Sequence, residues 1–320
     1  MLNKMNYTSI LVGPQQKYIN LYQKKVFKKV YEIEKVTSIR EDINFIVKIT
    51  KKYNSNLLIL DDYRIRISDQ KIILKNNIKW LQFDLYGKNP LYADIILNYS
   101  PNAKNIDYYK LIKKPKSYRL LGPKYTLLRN EFHKLKTFKI KKNVKKIFIC
   151  FGGGDDRGGI LKIVKSIKKG ENNIKIDIAT GKDCLSNKSL TKVLSADKNI
   201  NIHYNTNNIK KIIYNSDLAI ISGGTISYEC AAIGIPMIIM SIEKNQVNTS
   251  KFWMENKSAI YLGHINKLNS KKSKKEFERL CNNFELRKTF STRAKMVCDG
   301  KGSKKVALNI DQFIKSNKRL

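Results

Sequence analysis

Short runs of β-branched and other apolar residues alternate along this chain with longer stretches of helical period. In the first half, Ile10–Val12, Leu57–Leu60, Trp80–Phe83 and Asp94–Leu97 read as strands. Ile147–Phe151, Ile174–Ile178, Ile200–His203, Leu218–Ile221 and Met237–Met240 do so in the second. Helical periodicity fills intervals such as Arg40–Tyr53, Ile160–Ile167, Asn207–Tyr214 and Asn245–Glu255. Alternation of this kind predicts α/β architecture, with parallel sheets covered by helices on both faces. The series pauses at the polar, lysine-rich stretch Lys136–Lys146 and then restarts with a clean strand. That pause sets the expected domains at residues 1–140 and 141–320, both doubly wound, with the last helix able to pack back on the first. Two such domains imply a cleft, and ligands in such sheets bind at the carboxyl ends of strands.

Two glycine-rich turns fall at such ends. Phe151-Gly-Gly-Gly154 follows the strand Ile147–Phe151, and Gly152 and Gly153 leave backbone amides open to an anion. A lone triplet is equally an ordinary strand-to-helix turn, and neither a Walker A nor a good GxGxxG pattern is present. The second turn, Ser222-Gly223-Gly224-Thr225, says more. Thr225 falls in the first turn of a helix, where free amides and its hydroxyl can meet a phosphate. Glu229 lies four residues on, on the same face one turn deeper. A carboxylate there can accept both hydroxyls of a ribose whose diphosphate sits on the helix end, although a solvated surface carboxylate is the commoner fate of Glu on a helix. Gly234 suits a helix C-cap before Pro236. Asn245 and Gln246 open the next helical segment at the end of the adjacent strand. They are caps or ligands of the same molecule.

In the first half, Leu57-Leu-Ile-Leu-Asp-Asp-Tyr63 ends a strand with two carboxylates and a phenol. Asp61 or Asp62 could act as a general acid or base and Tyr63 as a donor, with Asp84 open to the same reading. The bland alternative is a helix cap and a surface aspartate. His133, His203 and His264 have no partner at metal-ligand spacing and read as structural.

Composition narrows the function classes. The chain has 320 residues, 42% of them apolar, enough for proper cores, and no run approaches the roughly 18 apolar residues of a membrane span. The N-terminus shows no signal-peptide pattern. Five scattered cysteines without CxxC spacing indicate a reducing compartment, and the expected location is the cytoplasm. A net charge of +37 suggests a polyanion. The lysines are nevertheless spread throughout and accompany abundant Asn, Ile and Tyr, the signature of an A/T-rich coding bias. No nucleic-acid-binding motif is present and no nucleic-acid partner is expected.

Taken in order, Asp61-Asp62-Tyr63, Phe83-Asp84, Asp94-Ile-Ile-Leu-Asn98, Gly122-Pro-Lys-Tyr-Thr-Leu-Leu-Arg129 with Glu131-Phe132, Gly152-Gly153 with Asp155, Ser222-Gly-Gly-Thr-Ile-Ser-Tyr-Glu229, Gly234-Ile-Pro236 and Asn245-Gln246 match a known pattern. The chain resembles, from about Tyr7 onward, the UDP-2,4-diacetamido-2,4,6-trideoxy-β-L-altropyranose hydrolases of pseudaminic acid synthesis. That family is similar in fold to two-domain GT-B glycosyltransferases, including the peptidoglycan UDP-GlcNAc transferase. The resemblance implies a UDP-sugar substrate cleaved by water at its glycosidic C–O bond, with no cofactor and no metal. It assigns ribose binding to Glu229, diphosphate contacts to Ser222–Thr225, and sugar-side contacts to Tyr63, Asn245 and Gln246.

The resemblance departs at the N-terminus. The family opens with a strand and a GxGHxxR turn whose histidine activates the attacking water. Here no such motif occurs and the first histidine is His133. Ile10–Val12 and Gly13-Pro14-Gln15-Gln16 look like the family's second strand and turn. The first domain is therefore expected to lack its first strand–loop–helix unit. Either the chain starts downstream of the family's start, the preferred reading, or the Tyr7–Gly13 strand fills the vacant place. Tyr63 and Asp62 are the catalytic candidates that remain. Two alternatives stay open: a GT-B glycosyltransferase using a UDP-sugar, and a UDP-sugar-binding remnant without turnover. Oligomeric state is not legible.

Overall fold

The computed structural model describes residues 1–13, 25–33, 38–154, 156–168, 173–181, 184, 187–194 and 197–317. The chain divides into two compact units, Met1–Tyr125 with Ser303–Leu320, and Thr126–Gly302. The boundary expected at residue 140 thus lies earlier in the chain. The reason is apolar: Leu128 and Phe132 are buried in the second unit's core with Phe148, Ile213 and Cys298. The lysine-rich stretch after them is a connection inside that unit.

In the first unit, β1 (Ile10–Gly13) and β2 (Lys29–Glu32) form a two-stranded parallel sheet of their own. β3 (Leu58–Leu60), β4 (Trp80–Phe83), β5 (Ile95–Asn98) and β6 (Tyr118–Leu121) form a four-stranded parallel sheet in that spatial order, one wing of a Rossmann-like arrangement. Among the described residues Ile10–Gly13 does not enter that sheet, so it fills no vacant place there. All its positions are only half-buried, as suits a ribbon rather than a central strand. Pro14, Gln15 and Gln16 lie outside the described residues. β3 stands at the sheet edge, with Ile59 44% exposed.

Apolar runs without alternation mark strands covered on both faces, and β5 is buried at every position. Trp80 and Ile96 point to one face, against Ile43, Val47 and Ile73 of the helices Ile39–Lys52 and Ile67–Lys75. Leu81, Ile95 and Leu97 point to the other, against Val306, Ile310, Phe313 and Ile314 of the terminal helix Gly302–Asn317.

The second unit is a six-stranded parallel sheet of β7 (Lys146–Cys150), β8 (Lys175–Thr180), β9 (Ile200–Tyr204), β10 (Leu218–Ser222), β11 (Met237–Ser241) and β12 (Ala259–His264). Their spatial order is β12-β11-β10-β7-β8-β9. The chain steps outward from β7 to β9, then returns to the other side of β7 as β10. The order reverses between β7 and β10, and the two connections leave in opposite directions there, opening a crevice at the carboxyl ends. Ile147 and Ile149 pack on one face with the helix Gly159–Lys168. Phe148 and Cys150 pack on the other with Tyr228, Cys230 and Trp253.

Candidate functional site

Both glycine turns lie at the reversal, because β10 and β7 are neighbours with Ile221 opposite Cys150. Gly152 takes φ +103°, a left-handed conformation that a side chain resists. The turn is crowded from the next strand, since a Cβ on Gly181 would overlap the Gly153 carbonyl. Asp155 lies outside the described residues. Asp156, only 1% exposed, accepts the amides of Gly158 at 3.2 Å and Ile160 at 2.8 Å and so caps the helix Gly159–Lys168.

The opposite turn has no such cap. The helix Thr225–Ile233 begins directly after Gly224, and no side chain accepts a hydrogen bond at its N-cap. Its first-turn amides therefore keep their attraction for an anion. Ser227 turns its hydroxyl back to the Gly224 carbonyl at 2.7 Å and accepts the Trp253 indole N–H at 3.0 Å. Ser222 is buried beneath the turn and Thr225 is exposed. Gly223 must be glycine, because a Cβ would overlap the Ser250 hydroxyl and stand 2.8 Å from the Gln246 carbonyl. Gly234 ends the helix at φ +89°, its amide bonded to Cys230 O.

Gln246 belongs to the short 3-10 turn Lys244–Gln246. Its Oε1 accepts the Ile242 amide at 2.9 Å, and its Nε2 is 3.6 Å from where a Gly224 Cβ would stand. The structure thus brings Gln246 beside the Ser222–Thr225 turn. Asn245 is exposed on the same short turn.

Glu229 is only 5% exposed, so the solvated-surface reading fails. Arg129 meets it edge-on, with Nε 2.9 Å from Oε1 and Nη2 3.0 Å from Oε2. Arg129 also approaches Glu131 at 3.3 Å and lies over the Phe132 ring. Burial pushes the Glu229 carboxyl above the usual range, and the guanidinium opposes that rise. Sequence reasoning found Glu229 from its place on the helix but assigned no role to Arg129, one hundred positions away. No local spacing joins them. Asp156 was missed for a simpler reason, standing beside the more conspicuous triplet.

In the first unit, Asp61, Asp62 and Tyr63 follow β3, Asp84 follows β4, and Tyr99 follows β5. The structure separates the carboxylates. Asp62 is engaged by Arg64 through Nε at 3.1 Å, Nη2 at 2.6 Å and the backbone amide at 2.9 Å. Partial burial pulls its carboxyl upward, but Arg64 wins and holds it below the usual range. A carboxylate so held is a weak proton acceptor near neutral pH. Asp84 accepts the Tyr108 hydroxyl and the Gly87 amide, both at 2.9 Å. Asp61 is raised by partial burial and by the neighbouring Asp62, with a hydrogen bond from Tyr63 working against the rise. Tyr63 stays protonated, its phenol raised by burial and by Asp61, and it packs edge-to-face on Tyr86 at 5.4 Å.

Each histidine has a local partner: Leu128 O for His133, Asp177 for His203, and the Asn266 amide for His264. Among the described residues no group of three or more His, Cys, Asp and Glu side chains could hold a metal ion. None of their helices is long and apolar enough to cross a membrane.

Comparison with known proteins follows this geometry. Residues 127–313 match the family model described as lipid-A-disaccharide synthetase (LpxB). A UDP-2,4-diacetamido-2,4,6-trideoxy-β-L-altropyranose hydrolase of Campylobacter jejuni is 32% identical over 71% of this chain and 79% of its own length. An uncharacterized protein of Methanocaldococcus jannaschii is 29% identical over 75% of this chain, which spans half the length of that relative. Among solved structures, Acinetobacter baumannii MurG superposes with a TM-score of 0.66 at 14% identity, over 97% of this chain and 93% of its own. The fold is accordingly GT-B glycosyltransferase-like. By its match to the Campylobacter relative the chain belongs to the UDP-2,4-diacetamido-2,4,6-trideoxy-β-L-altropyranose hydrolase family.

Proposed function

We propose that this protein binds a UDP-linked diacetamido-trideoxy sugar and hydrolyses it to UDP and the free sugar, as a step in pseudaminic acid synthesis. The observation that carries the reading is the second unit's uncapped helix end. A glycine turn at the sheet reversal opens directly into a helix whose buried Glu229 lies one turn inside. The diphosphate is taken by the amides of Gly223–Thr225, with the Ser222 and Thr225 hydroxyls beside it. The ribose hydroxyls are taken by Glu229, and Gln246 and Asn245 contact the sugar side. Gly152 and Gly153 border the same crevice. In the reaction a water oxygen bonds to the anomeric carbon, the C–O bond to phosphate breaks, and UDP leaves with the electron pair.

The water's proton needs an acceptor. The family's GxGHxxR histidine is not in this sequence. Of the three carboxylates at the first unit's strand ends, Asp61 is the one that, among the described residues, is not engaged by an arginine or by backbone amides; Tyr63 donates to it. We assign it that role, with Tyr63 as its hydrogen-bond donor. Neither metal nor cofactor enters this scheme. The five scattered cysteines, without CxxC spacing, support a cytoplasmic setting.

The test is incubation of the purified protein with the UDP-sugar, following UDP by coupled assay and the sugar by mass spectrometry. Release of both without an acceptor is the expected result. UDP release only when a sugar or lipid acceptor is added would replace hydrolysis with glycosyl transfer, the second reading that the lipid-A-disaccharide synthetase match favours. UDP binding that Glu229→Ala abolishes, with no turnover at any pH where the fold survives, would leave a binding protein.

A further inference from the structure

The nucleotide site contains a charge that the proposed function does not use. Arg129 precedes the short turn Asn130–Phe132 and points its guanidinium at the buried end of Glu229. Its fork takes one lone pair from each carboxylate oxygen, and the guanidinium lies over the fully buried Phe132 ring. A carboxylate has about four acceptor positions and a guanidinium has none. Each oxygen of Glu229 therefore keeps an acceptor position on its outer flank while the pair is intact.

We infer that Arg129 is the positioning residue of the nucleotide site, fixing the Glu229 carboxylate in place and holding it ionised so that it accepts from a ribose hydroxyl. The inference rests on the reading of Glu229 as the ribose acceptor. The groups facing Glu229 support it. Arg129 and Glu131 approach from the segment before β7, Cys150 from the end of β7, and Cys230 from its own helix. Burial pushes the Cys150 thiol up to about 11 and the Cys230 thiol upward as well, so both are neutral near pH 7. Glu131 adds negative charge. Among the described groups facing Glu229, Arg129 supplies the positive charge. Without it, burial and Glu131 both favour the protonated carboxyl, a weaker hydrogen-bond acceptor than the carboxylate.

The measurement is the ratio of dissociation constants for 2′-deoxy-UDP and UDP, taken by calorimetry from pH 6 to 8. Both ligands carry the same diphosphate, so phosphate titration cancels and the ratio reports the ribose contact alone. For the unaltered protein the ratio is expected to be on the order of ten and flat with pH, the worth of one charge-assisted hydrogen bond. For Arg129→Met it falls toward one as pH decreases through this range. Arg129→Lys keeps the charge but loses the fork, and its ratio falls between the two. Glu229→Gln brings the ratio near one at every pH. If Arg129→Met keeps the unaltered ratio at all pH values, the inference is wrong. Should Arg129→Met fail to fold, an unaltered ratio in Arg129→Lys overturns it equally. Absence of UDP binding by the unaltered protein would instead sink the proposed function, and this inference with it.

Discussion

Glu229 and Asp61 are both carboxylates whose surroundings work against their charge, and they differ in what stands opposite. Glu229 faces a guanidinium and stays available as an acceptor. Asp61 is partly buried beside a second carboxylate, and its proton affinity rises although the Tyr63 phenol opposes the rise. A base is active when deprotonated, so the acid limb of kcat/KM should lie above the ordinary carboxylate range near pH ~4. Asp61→Asn is expected to remove that limb and lower kcat by about 100-fold or more, the usual worth of a general base. Asp62→Asn should instead act through stability, because it breaks the ion pair with Arg64 that also reaches the buried Asp42. Equal losses of kcat in the two variants, with unchanged melting temperatures, would refute the assignment.

At the scale of elements, the site depends on close approach between turns. Gly223 sits against the helix Val247–Glu255, where Ser250 bonds the Gln246 carbonyl at 2.8 Å. Gly223→Ala forces a methyl into that contact. It should cost about 1–3 kcal/mol, the usual penalty of overpacking, and weaken UDP binding more than the melting temperature alone explains. Calorimetry and thermal unfolding on one preparation check this. Retention of full UDP affinity would mean that the turn is not the diphosphate cradle. The elements that could be read from sequence were those with unbroken apolar runs, β7, β10 and β11 above all. β6 could not, since its Tyr118 and Arg119 are exposed and only Leu120 is fully buried. β12 carries Gly263 within it, and β2 is Lys-Val-Tyr-Glu, too short and too polar to register. The Ser222–Glu229 turn was legible because its chemistry is local to one helix. The Arg129–Glu229 pair was not, because folding alone joins its halves.

At the scale of the molecule, the net charge of +37 sets up self-repulsion that salt screens. The Debye length shrinks from about 30 Å at 0.01 M salt to about 8 Å at 0.15 M. The melting temperature should therefore rise over that interval, and retention on a DNA column should vanish. Retention that persists at 0.15 M would revive a nucleic-acid role. The terminal helix has a different consequence. Val306, Ile310, Phe313 and Ile314 cover one face of a sheet whose strands end at Leu121, so the second unit is, in sequence, an insertion within the first. During synthesis the ribosome finishes every strand of that sheet almost two hundred residues before it makes their cover. Leu81, Ile95, Leu97 and Leu120 stay bare for all of that time, and at about 5–20 residues per second the wait lasts on the order of 10 to 40 seconds. The nascent chain is thus expected to need that apolar surface shielded until the terminal helix can cover it.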